Sequence, residues 1–167
     1  MKGAFILSFL FTIVTSLQVG DVLAFESYNF KEHFMRHEHG EIWIDPFEDT
    51  QAFKDDITWK IVDGLCRAVN TISFESVKYP GSYLRRTGSS IWLGKPDGTE
   101  SFNQGACFVH GQVFMAGIVP YYYFTNQIFS VDDEEQYIYP QEGKVMSMPA
   151  QKVNYSVDIA IWISRLL

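Results

Sequence analysis

The sequence predicts an all-β domain built from a repeated unit, on two observations. Residues 25–59 align with residues 74–108 without a gap, and eight of the 35 aligned positions are identical, where average residue usage would give about two by chance. Short runs that alternate apolar and polar residues recur in both copies between turn residues, as in β-strands. Helical periodicity is weak, and residues 54–69 fit strand, loop or one helical turn.

The residues shared by the two copies are mostly apolar, as a common core requires. Turns separate the strands: Pro80-Gly81 and Pro96-Asp97-Gly98 each combine a proline that presets φ with a glycine that takes φ above zero. The main matched positions, first copy before second, are Phe25 and Phe74, Phe34 and Tyr83, Met35 and Leu84, Ile42 and Ile91, Trp43 and Trp92, Thr50 and Thr99, Phe53 and Phe102, Ile57 and Ala106, and Trp59 and Phe108.

A fainter third copy follows. Its first strand is predicted at Phe129-Ser130-Val131, its second at Tyr137-Ile138-Tyr139 and its third at 145–148, and residues 158–161 are matched with residues 56–59. This alignment needs an insertion of about four residues.

Three four-stranded units spaced by 49 residues fit a β-trefoil with pseudo-repeats at about 25–68, 69–117 and 118–167. A six- or seven-bladed propeller needs far more residues.

Residues 1–24 have the layout of a secretory signal peptide. A basic start at Lys2 precedes an apolar run over 4–14, and small residues follow, as such a leader requires. The run is shorter than the roughly 18 apolar residues of a membrane span. Cleavage after Ala24 is favoured over cleavage after Ser16. We therefore expect a signal peptide at 1–24 and one secreted, extracellular domain at 25–167.

The charge of the chain argues against two kinds of partner. The formal net charge is −7 at pH 7 and the basic residues are scattered, which disfavours nucleic acid and anionic membrane surfaces. No later segment is long and apolar enough to cross a membrane.

Two chemical modifications fit an oxidising secretory route. Cys66 and Cys107 are predicted to form a disulfide, the alternative being two buried free thiols. Asn154-Tyr155-Ser156 is a sequon for N-glycosylation of Asn154, unless Tyr155 is a buried strand residue that makes the asparagine hard to reach.

The segment from Ser73 to Arg86, S-F-E-S-V-K-Y-P-G-S-Y-L-R-R, resembles the repeat motif of the arabinose-binding domain of α-L-arabinofuranosidase B, a family 42 carbohydrate-binding module with a β-trefoil fold. The family's repeats read approximately S-F-x-S-x-N-Y-P-G-x-Y-L-R-H, then L-D-P-x-D-G, then F-x-x-D-A-T-F. The resemblance covers the first two units, about 85 residues, and the third poorly.

The resemblance implies sugar pockets lined by the histidine of the R-H pair and the aspartate of D-A-T-F. The first unit keeps both, as His37 and Asp56, and these are the predicted carbohydrate-binding residues. The second unit has Arg86 and Gly105 at these positions. Of these two units, only the first is therefore expected to have a complete pocket.

The third unit departs from the pattern in another way. It keeps the aspartate as Asp158, a possible weak second site, but has Pro140 or Tyr139 at the histidine position.

The function implied is that of a secreted, non-catalytic, lectin-like domain. Its partners would be glycans that contain arabinose, or another extracellular polysaccharide or glycoprotein, with no cofactor and no catalytic residue. Glycoside hydrolysis needs two carboxylates at a fixed separation, and the chain has no room for a catalytic module beside this domain. The alternative is a structural or interaction protein of an extracellular matrix or secretion, in which His37 and Asp56 hold no ligand.

Other clusters point to weaker hypotheses, and no metal site is predicted. His33, His37 and His39 could share a strand face and hold zinc or copper, but their spacing matches no strong metal signature. The acidic run 132–135 is more typical of a solvated loop than of a calcium site. The aromatic run 121–124 suits a core strand with partial exposure, and exposed tyrosines there could also stack on sugars or a partner protein.

Overall fold

The computed structural model describes residues 17–113, 121–126, 136–149 and 162–165. Within these ranges the chain forms twelve strands and two short helices in three successive units. The first unit contains β1 (Val22–Ser27), β2 (His33–Glu38), β3 (Glu41–Pro46), α1 (Gln51–Ile57) and β4 (Thr58–Asp63). The second contains β5 (Ile72–Ser76), β6 (Tyr83–Thr87), β7 (Ser90–Gly94), α2 (Glu100–Gly105) and β8 (Val109–Val113). The third contains β9 (Tyr121–Asn126), β10 (Gln136–Gln141), β11 (Lys144–Pro149) and β12 (Trp162–Arg165).

The outer strands of the units close a barrel. The antiparallel pairs run β1–β4, β4–β5, β8–β9, β9–β12 and β12–β1, and a bridge between Ile72 and Phe108 completes the ring. The inner strands form the hairpins β2–β3, β6–β7 and β10–β11, which pair with one another in a triangle. A six-stranded barrel capped by three hairpins is a β-trefoil, so the predicted fold is confirmed.

The core is built from equivalent positions of the three units. Met35, Leu84 and Ile138 of the second strands are each fully buried, as are the three aromatic residues of the barrel floor. These are Trp59, Phe108 and Trp162. Burial of such side chains contributes roughly 25 cal/mol per Å² of apolar surface, which explains why the sequence repeat is mostly apolar.

The strand register corrects the alignment of the third unit. Trp162 pairs with Ser27 as Trp59 pairs with Ser76, so Trp162 occupies the position that the alignment gave to Ile161. The first described strand of the unit is β9, and the strand predicted at Phe129-Ser130-Val131 lies outside the described residues. The β9–β10 connection has nine residues where the β1–β2 connection has five, which agrees with the insertion of about four residues that the alignment needs.

Identical polar residues in the two copies form the same local hydrogen bonds. Glu26 Oε1 accepts from the backbone N–H of Glu32 (3.0 Å), and Glu75 Oε1 accepts from that of Gly81 (2.7 Å). The residues that donate these bonds, Glu32 and Gly81, both have positive φ, 61° and 80°. These bonds hold the turn after the first strand, so the repeat preserves turn geometry as well as the core.

The sequence predicted strand, loop or one helical turn over residues 54–69, and helix α1 lies at Gln51–Ile57 with α2 at the equivalent place in the second unit. Each begins after a threonine whose Oγ1 accepts from the backbone N–H three residues on, Thr50 from Phe53 (3.2 Å) and Thr99 from Phe102 (3.1 Å). A threonine N-cap satisfies one of the free N–H groups of the first turn. The threonine is identical in both repeats, and it places the start of α1 after Thr50 and that of α2 after Thr99.

The folded domain extends further toward the N-terminus than residue 25. Val22 to Ala24 belong to β1 and pair with β4, and Leu17 is 5% exposed within the core. The backbone N–H of Gly20 donates to Ile61 O, and the N–H of Ile61 donates to Asp21 O, both at 2.8 Å. The predicted boundary at 24 therefore divides a strand of the barrel.

The predicted disulfide between Cys66 and Cys107 is present. It joins the loop after β4 to the residue that precedes the Ile72–Phe108 bridge, across a Cα–Cα distance of 5.8 Å. Elsewhere in the described ranges, no helix has the length and apolar character needed to cross a membrane.

Candidate functional site

A cleft of about 750 Å³ lies where the first and second units meet. Its lining includes Arg36, His37, Glu38 and Asp56 from the first unit and Lys78, Tyr79 and Lys95 from the second. Both predicted sugar-binding residues, His37 and Asp56, therefore line one cleft. The turn between β5 and β6 forms the opposite wall, because strand β5 follows β4 directly around the barrel.

His37 lies on β2 and is 3% exposed. Its Nε2 lies 2.9 Å from Ser76 Oγ, and its ring packs edge-on against Trp59 with centroids 5.6 Å apart. The ring of Tyr79 lies 5.3 Å away on the cleft side. The imidazole is therefore buried and fixed in place by the barrel and by the second unit.

Asp56 lies near the end of α1 and is 7% exposed. Lys78 Nζ donates to its Oδ1 at 2.7 Å, and His37 Nδ1 lies 3.5 Å from the same oxygen. Arg36 Nε lies 3.6 Å from Oδ2. The carboxylate thus meets two cations and an imidazole: Arg36 and His37 from β2, and Lys78 from the turn after β5 in the second unit.

Arg36 forms the floor beside this carboxylate. Its guanidinium donates to Asp45 Oδ2 at 3.1 Å and to Glu38 Oε1 at 3.0 Å, and it lies over the ring of Phe53 at 5.3 Å. Phe53 belongs to the same helix as Asp56, so the stacked arginine ties the position of α1 to the β2–β3 hairpin. A guanidinium suits this role because it bonds several acceptors while stacking on a ring.

The charges in the cleft follow from burial and from these partners. Burial lowers the pKa of His37; the Asp56 carboxylate opposes this effect and Lys78 adds to it. The hydrogen bond to Asp56 raises the pKa of Lys78. At neutral pH the site therefore combines a neutral imidazole with an ammonium. A carboxylate facing Nδ1 favours the tautomer with the proton on that nitrogen, which leaves Nε2 to accept from Ser76.

The rim of the cleft carries an exposed aromatic ring. Tyr79 is 50% exposed, and Lys78 Nζ lies 5.7 Å from its ring centre. Ser76 Oγ accepts from the backbone N–H of Tyr79 at 3.1 Å, which fixes the start of the turn. The site as a whole can exchange hydrogen bonds with a polar ligand and offer an apolar face beside them.

The second unit has lost this chemistry at the equivalent place. Arg86 takes the position of His37 and Gly105 the position of Asp56. A Cβ atom at Gly105 would lie 2.6 Å from the backbone oxygen of Arg86, far inside van der Waals contact. The backbone there has closed over the space that a carboxylate would need.

The register of the third unit decides between the two residues offered for its histidine position. Pro140 pairs with Val145 as His37 pairs with Ile42, and both Ile42 and Val145 are buried core residues. Pro140 therefore stands where the first unit has His37, and proline offers neither a donor nor an acceptor on its side chain. Asp158 and Asn154 lie outside the described residues.

The histidines of β2 do not form a metal cluster in the described part of the chain, where no group of three or more His, Cys, Asp or Glu side chains is placed to hold a metal ion. His33 instead has Nδ1 2.9 Å from Lys31 O, while His37 faces Ser76 and Asp56. The acidic run 132–135 lies outside the described residues.

Sequence reasoning missed Arg36, Ser76 and Lys78 as parts of the site. The signal for Ser76 and Lys78 was their place in the Y-P-G turn segment, which the trefoil brings against the preceding unit. The Y-P-G turn belongs to the second unit, and it lines the cleft of the first unit because β5 pairs with β4 in the fold. The sequence alone does not show this contact.

Comparisons with known proteins bear on both fold and site. The sequence model of the alpha-L-arabinofuranosidase B (ABFB) domain matches residues 9–61 and 54–138. No curated protein matches this chain.

Several solved structures share the fold. A crystal structure of arabinofuranosidase complexed with arabinofuranosyl-alpha-1,2-xylobiose has a TM-score of 0.68 at 20% identity, over 88% of this chain and 31% of that chain. A Polyporus squamosus lectin bound to a human-type influenza-binding epitope has a TM-score of 0.63 at 13% identity, over 91% and 51%. The cytolethal distending toxin of Actinobacillus actinomycetemcomitans has 0.58 at 12%, over 85% and 88%.

This chain spans about a third of the arabinofuranosidase chains that it resembles. The matched part of the family is the carbohydrate-binding module and not the catalytic part. Since the family match covers most of the sequence and the fold agrees with it, the chain belongs to the alpha-L-arabinofuranosidase B (ABFB) domain family.

Proposed function

We propose that this protein is a secreted, non-catalytic carbohydrate-binding domain whose sugar site is the His37/Asp56 cleft. The observation that carries the proposal is the placement of these two side chains. They come from different elements, lie 3.5 Å apart at Nδ1 and Oδ1, and line one cleft with an exposed tyrosine. Family membership supports the same assignment.

The chemistry of the cleft suits a sugar. A carboxylate accepts hydrogen bonds from sugar hydroxyls, and such charge-assisted bonds are stronger than neutral ones. Among the described residues, the cation nearest to Asp56 Oδ2 is Arg36 Nε at 3.6 Å, so this oxygen can accept from a hydroxyl. Tyr79 offers an amphipathic ring of the kind that polar ligands with an apolar face contact.

The two carboxylates of the cleft lining are already engaged in structural pairs. Lys78 holds Asp56 and Arg36 holds Glu38. Hydrolysis of a glycosidic bond requires one carboxylic acid that donates a proton and a second carboxylate across the bond. We therefore propose binding without turnover.

Mutation of the site tests this proposal. Immobilised arabinoxylan and an array of extracellular glycans should bind the wild-type domain, and Asp56→Asn or His37→Ala should weaken that binding at least tenfold. Asp55→Asn is the matched control, because it makes the same charge change on the same helix, where Asp55 instead accepts from Gln51 at 2.8 Å. Unchanged binding by Asp56→Asn would overturn the site assignment.

The second candidate is a structural or interaction protein of an extracellular matrix or secretion, with decayed pockets. It is favoured by the Lys78–Asp56 bond, which occupies the ligand-facing carboxylate, and by Gly105 and Pro140 in the other two units. Failure of every glycan to bind the wild-type domain, with correct folding shown by circular dichroism, would favour this candidate over sugar binding.

We further propose that the N-terminal leader is removed on the N-terminal side of Leu17. Cleavage after Ala24 would delete Val22, Leu23 and Ala24, which supply the register pairs between β1 and β4, and would open the barrel. Intact mass and N-terminal sequencing of the protein secreted from a eukaryotic host should give a mature chain that retains Leu17. A chain that starts at Phe25 and is folded would contradict this.

A further inference from the structure

We infer that the His37/Asp56 cleft selects glycans that carry a carboxylate, such as uronic-acid sugars, over neutral ones. This inference rests on the proposed sugar-binding function of the cleft and specifies its ligand class. The argument comes from which hydrogen-bonding groups in the cleft are already engaged and which remain available.

The acceptor groups of the cleft are largely engaged by the protein itself. Asp56 Oδ1 accepts from Lys78 at 2.7 Å, and Glu38 Oε1 accepts from Arg36 at 3.0 Å. Asp45 holds the other terminal nitrogen of Arg36 at 3.1 Å. A ligand that offers only hydroxyl donors therefore has Asp56 Oδ2 as an acceptor, but must compete with Lys78 for Oδ1.

The lysines that line the cleft from the second unit have N–H donors available for a ligand. Lys78 keeps 31% of its side chain exposed and has three N–H groups, of which the bond to Asp56 uses one. Lys95 also lines the cleft and is exposed, and it makes no ion pair with any described residue. Both lysines belong to the second unit, whereas the carboxylates that pair with Arg36 belong to the first.

A ligand carboxylate complements this arrangement better than a hydroxyl does. Bonds from an ammonium to a carboxylate are about twice as strong as bonds between neutral groups. The chain's net charge of −7 disfavours indiscriminate attraction of polyanions, so recognition of an acidic sugar has to come from locally placed cations. Lys78 and Lys95 supply them.

The test compares sugars that differ only in the carboxylate. Oligogalacturonides, glucuronoxylan oligosaccharides and hyaluronan hexasaccharides are titrated by calorimetry beside their carboxyl-reduced forms, in which the acid is a hydroxymethyl group. At least one acidic ligand should bind ten times or more tightly than its reduced form. Lys95→Gln should weaken that acidic ligand about fivefold and leave the reduced form unchanged.

Lys60→Gln is the matched control, because Lys60 is an exposed lysine on β4 outside the cleft lining and loses the same charge. If it weakens binding as much as Lys95→Gln, the effect is general electrostatics and the inference is overturned. Equal affinity for acidic and reduced or arabinose-bearing neutral sugars also overturns the inference while leaving the proposed function in place. Absence of binding to all sugars overturns both.

Discussion

The first and second units have the same order of strands and helix and equivalent core residues. They differ in the side chains at the positions of His37, Asp56 and the carboxylate partners of Arg36. Arg36 and Arg85 stand at the same repeat position, and each guanidinium lies over the equivalent phenylalanine, at 5.3 Å and 4.6 Å. Arg36 meets the three carboxylates of Glu38, Asp45 and Asp56. The second unit has no carboxylate at any of these positions, where it carries Thr87, Gly94 and Gly105.

The residues that stabilise the fold are present in both units, whereas the polar residues of the cleft are present in only one. Packed aromatic positions, threonine caps and the glutamate that holds the first turn are retained in both units, because losing any of them costs free energy of folding. The carboxylates and the histidine are retained in only one. The arginine stacked on a phenylalanine is thus present in the second unit without the carboxylates and the histidine that surround it in the first.

The largest expected effects are in the shared core. Trp59→Ala and Phe108→Ala should each lower the free energy of unfolding by about 3–5 kcal/mol, because each leaves a large cavity at a fully buried position. Urea unfolding followed by tryptophan fluorescence and circular dichroism measures both. A neutral result for one of the two would show that the units are not equivalent in the barrel floor.

An aspartate at Gly105, the position equivalent to Asp56, should not give the second unit a sugar site. Gly105→Asp is expected to destabilise the domain by roughly 1–3 kcal/mol, since its Cβ would lie 2.6 Å from Arg86 O, and it should create no second sugar site. Asn103→Asp, which adds the same charge to α2 without this clash, should change stability by less than about 0.5 kcal/mol. A stable Gly105→Asp protein that binds two sugars would break the comparison.

The helix caps should separate stability from binding. Thr50→Ala and Thr99→Ala should each cost about 1 kcal/mol, because each removes the Oγ1 acceptor at a helix start. Only Thr50→Ala should also weaken glycan binding, since α1 carries Asp56. Thr→Ser at either position keeps the hydroxyl and serves as the control, and equal loss of binding by both alanine variants would contradict the assignment.

The smallest expected effect is a pH dependence of stability. Burial lowers the pKa of His37 in the folded chain, so the unfolded chain takes up a proton first as the pH falls. The contribution of His37 to stability is therefore complete above about pH 6.5, the ordinary histidine value, and decreases below it by at most about 1.4 kcal/mol per pH unit. Denaturant unfolding between pH 5 and pH 8 measures the slope.

His110 gives the comparison within the second unit, because burial alone lowers its pKa. Both His37→Gln and His110→Gln should flatten the stability profile, and only His37→Gln should alter glycan binding. A profile that neither variant changes would place the acid sensitivity in other groups.

Much of this fold followed from the gapless repeat, because core positions of equal units must hold residues of similar size. His37 and Asp56 were predicted from their motif positions, and the structure brings them together in one cleft. The partners of Asp56 were not, since Lys78 and Arg36 reach it from a different unit and a different strand. The predicted third pseudo-repeat, 118–167, contains β9, but the alignment was displaced by one residue at Trp162, because the third unit is less similar to the other two.

The sequence by itself determined the β-trefoil, the residues that repeat within it and the single unit with both site residues. Hydrophobic periodicity and turn chemistry are local, so they can be read along the chain. Only the tertiary structure decided that Lys78 engages Asp56, that the backbone lies too close to Gly105 for a side chain, and that Leu17 is buried in the core while Val22 to Ala24 belong to the barrel. These three outcomes depend on contacts between segments that are distant in sequence, where packing and charge act through space.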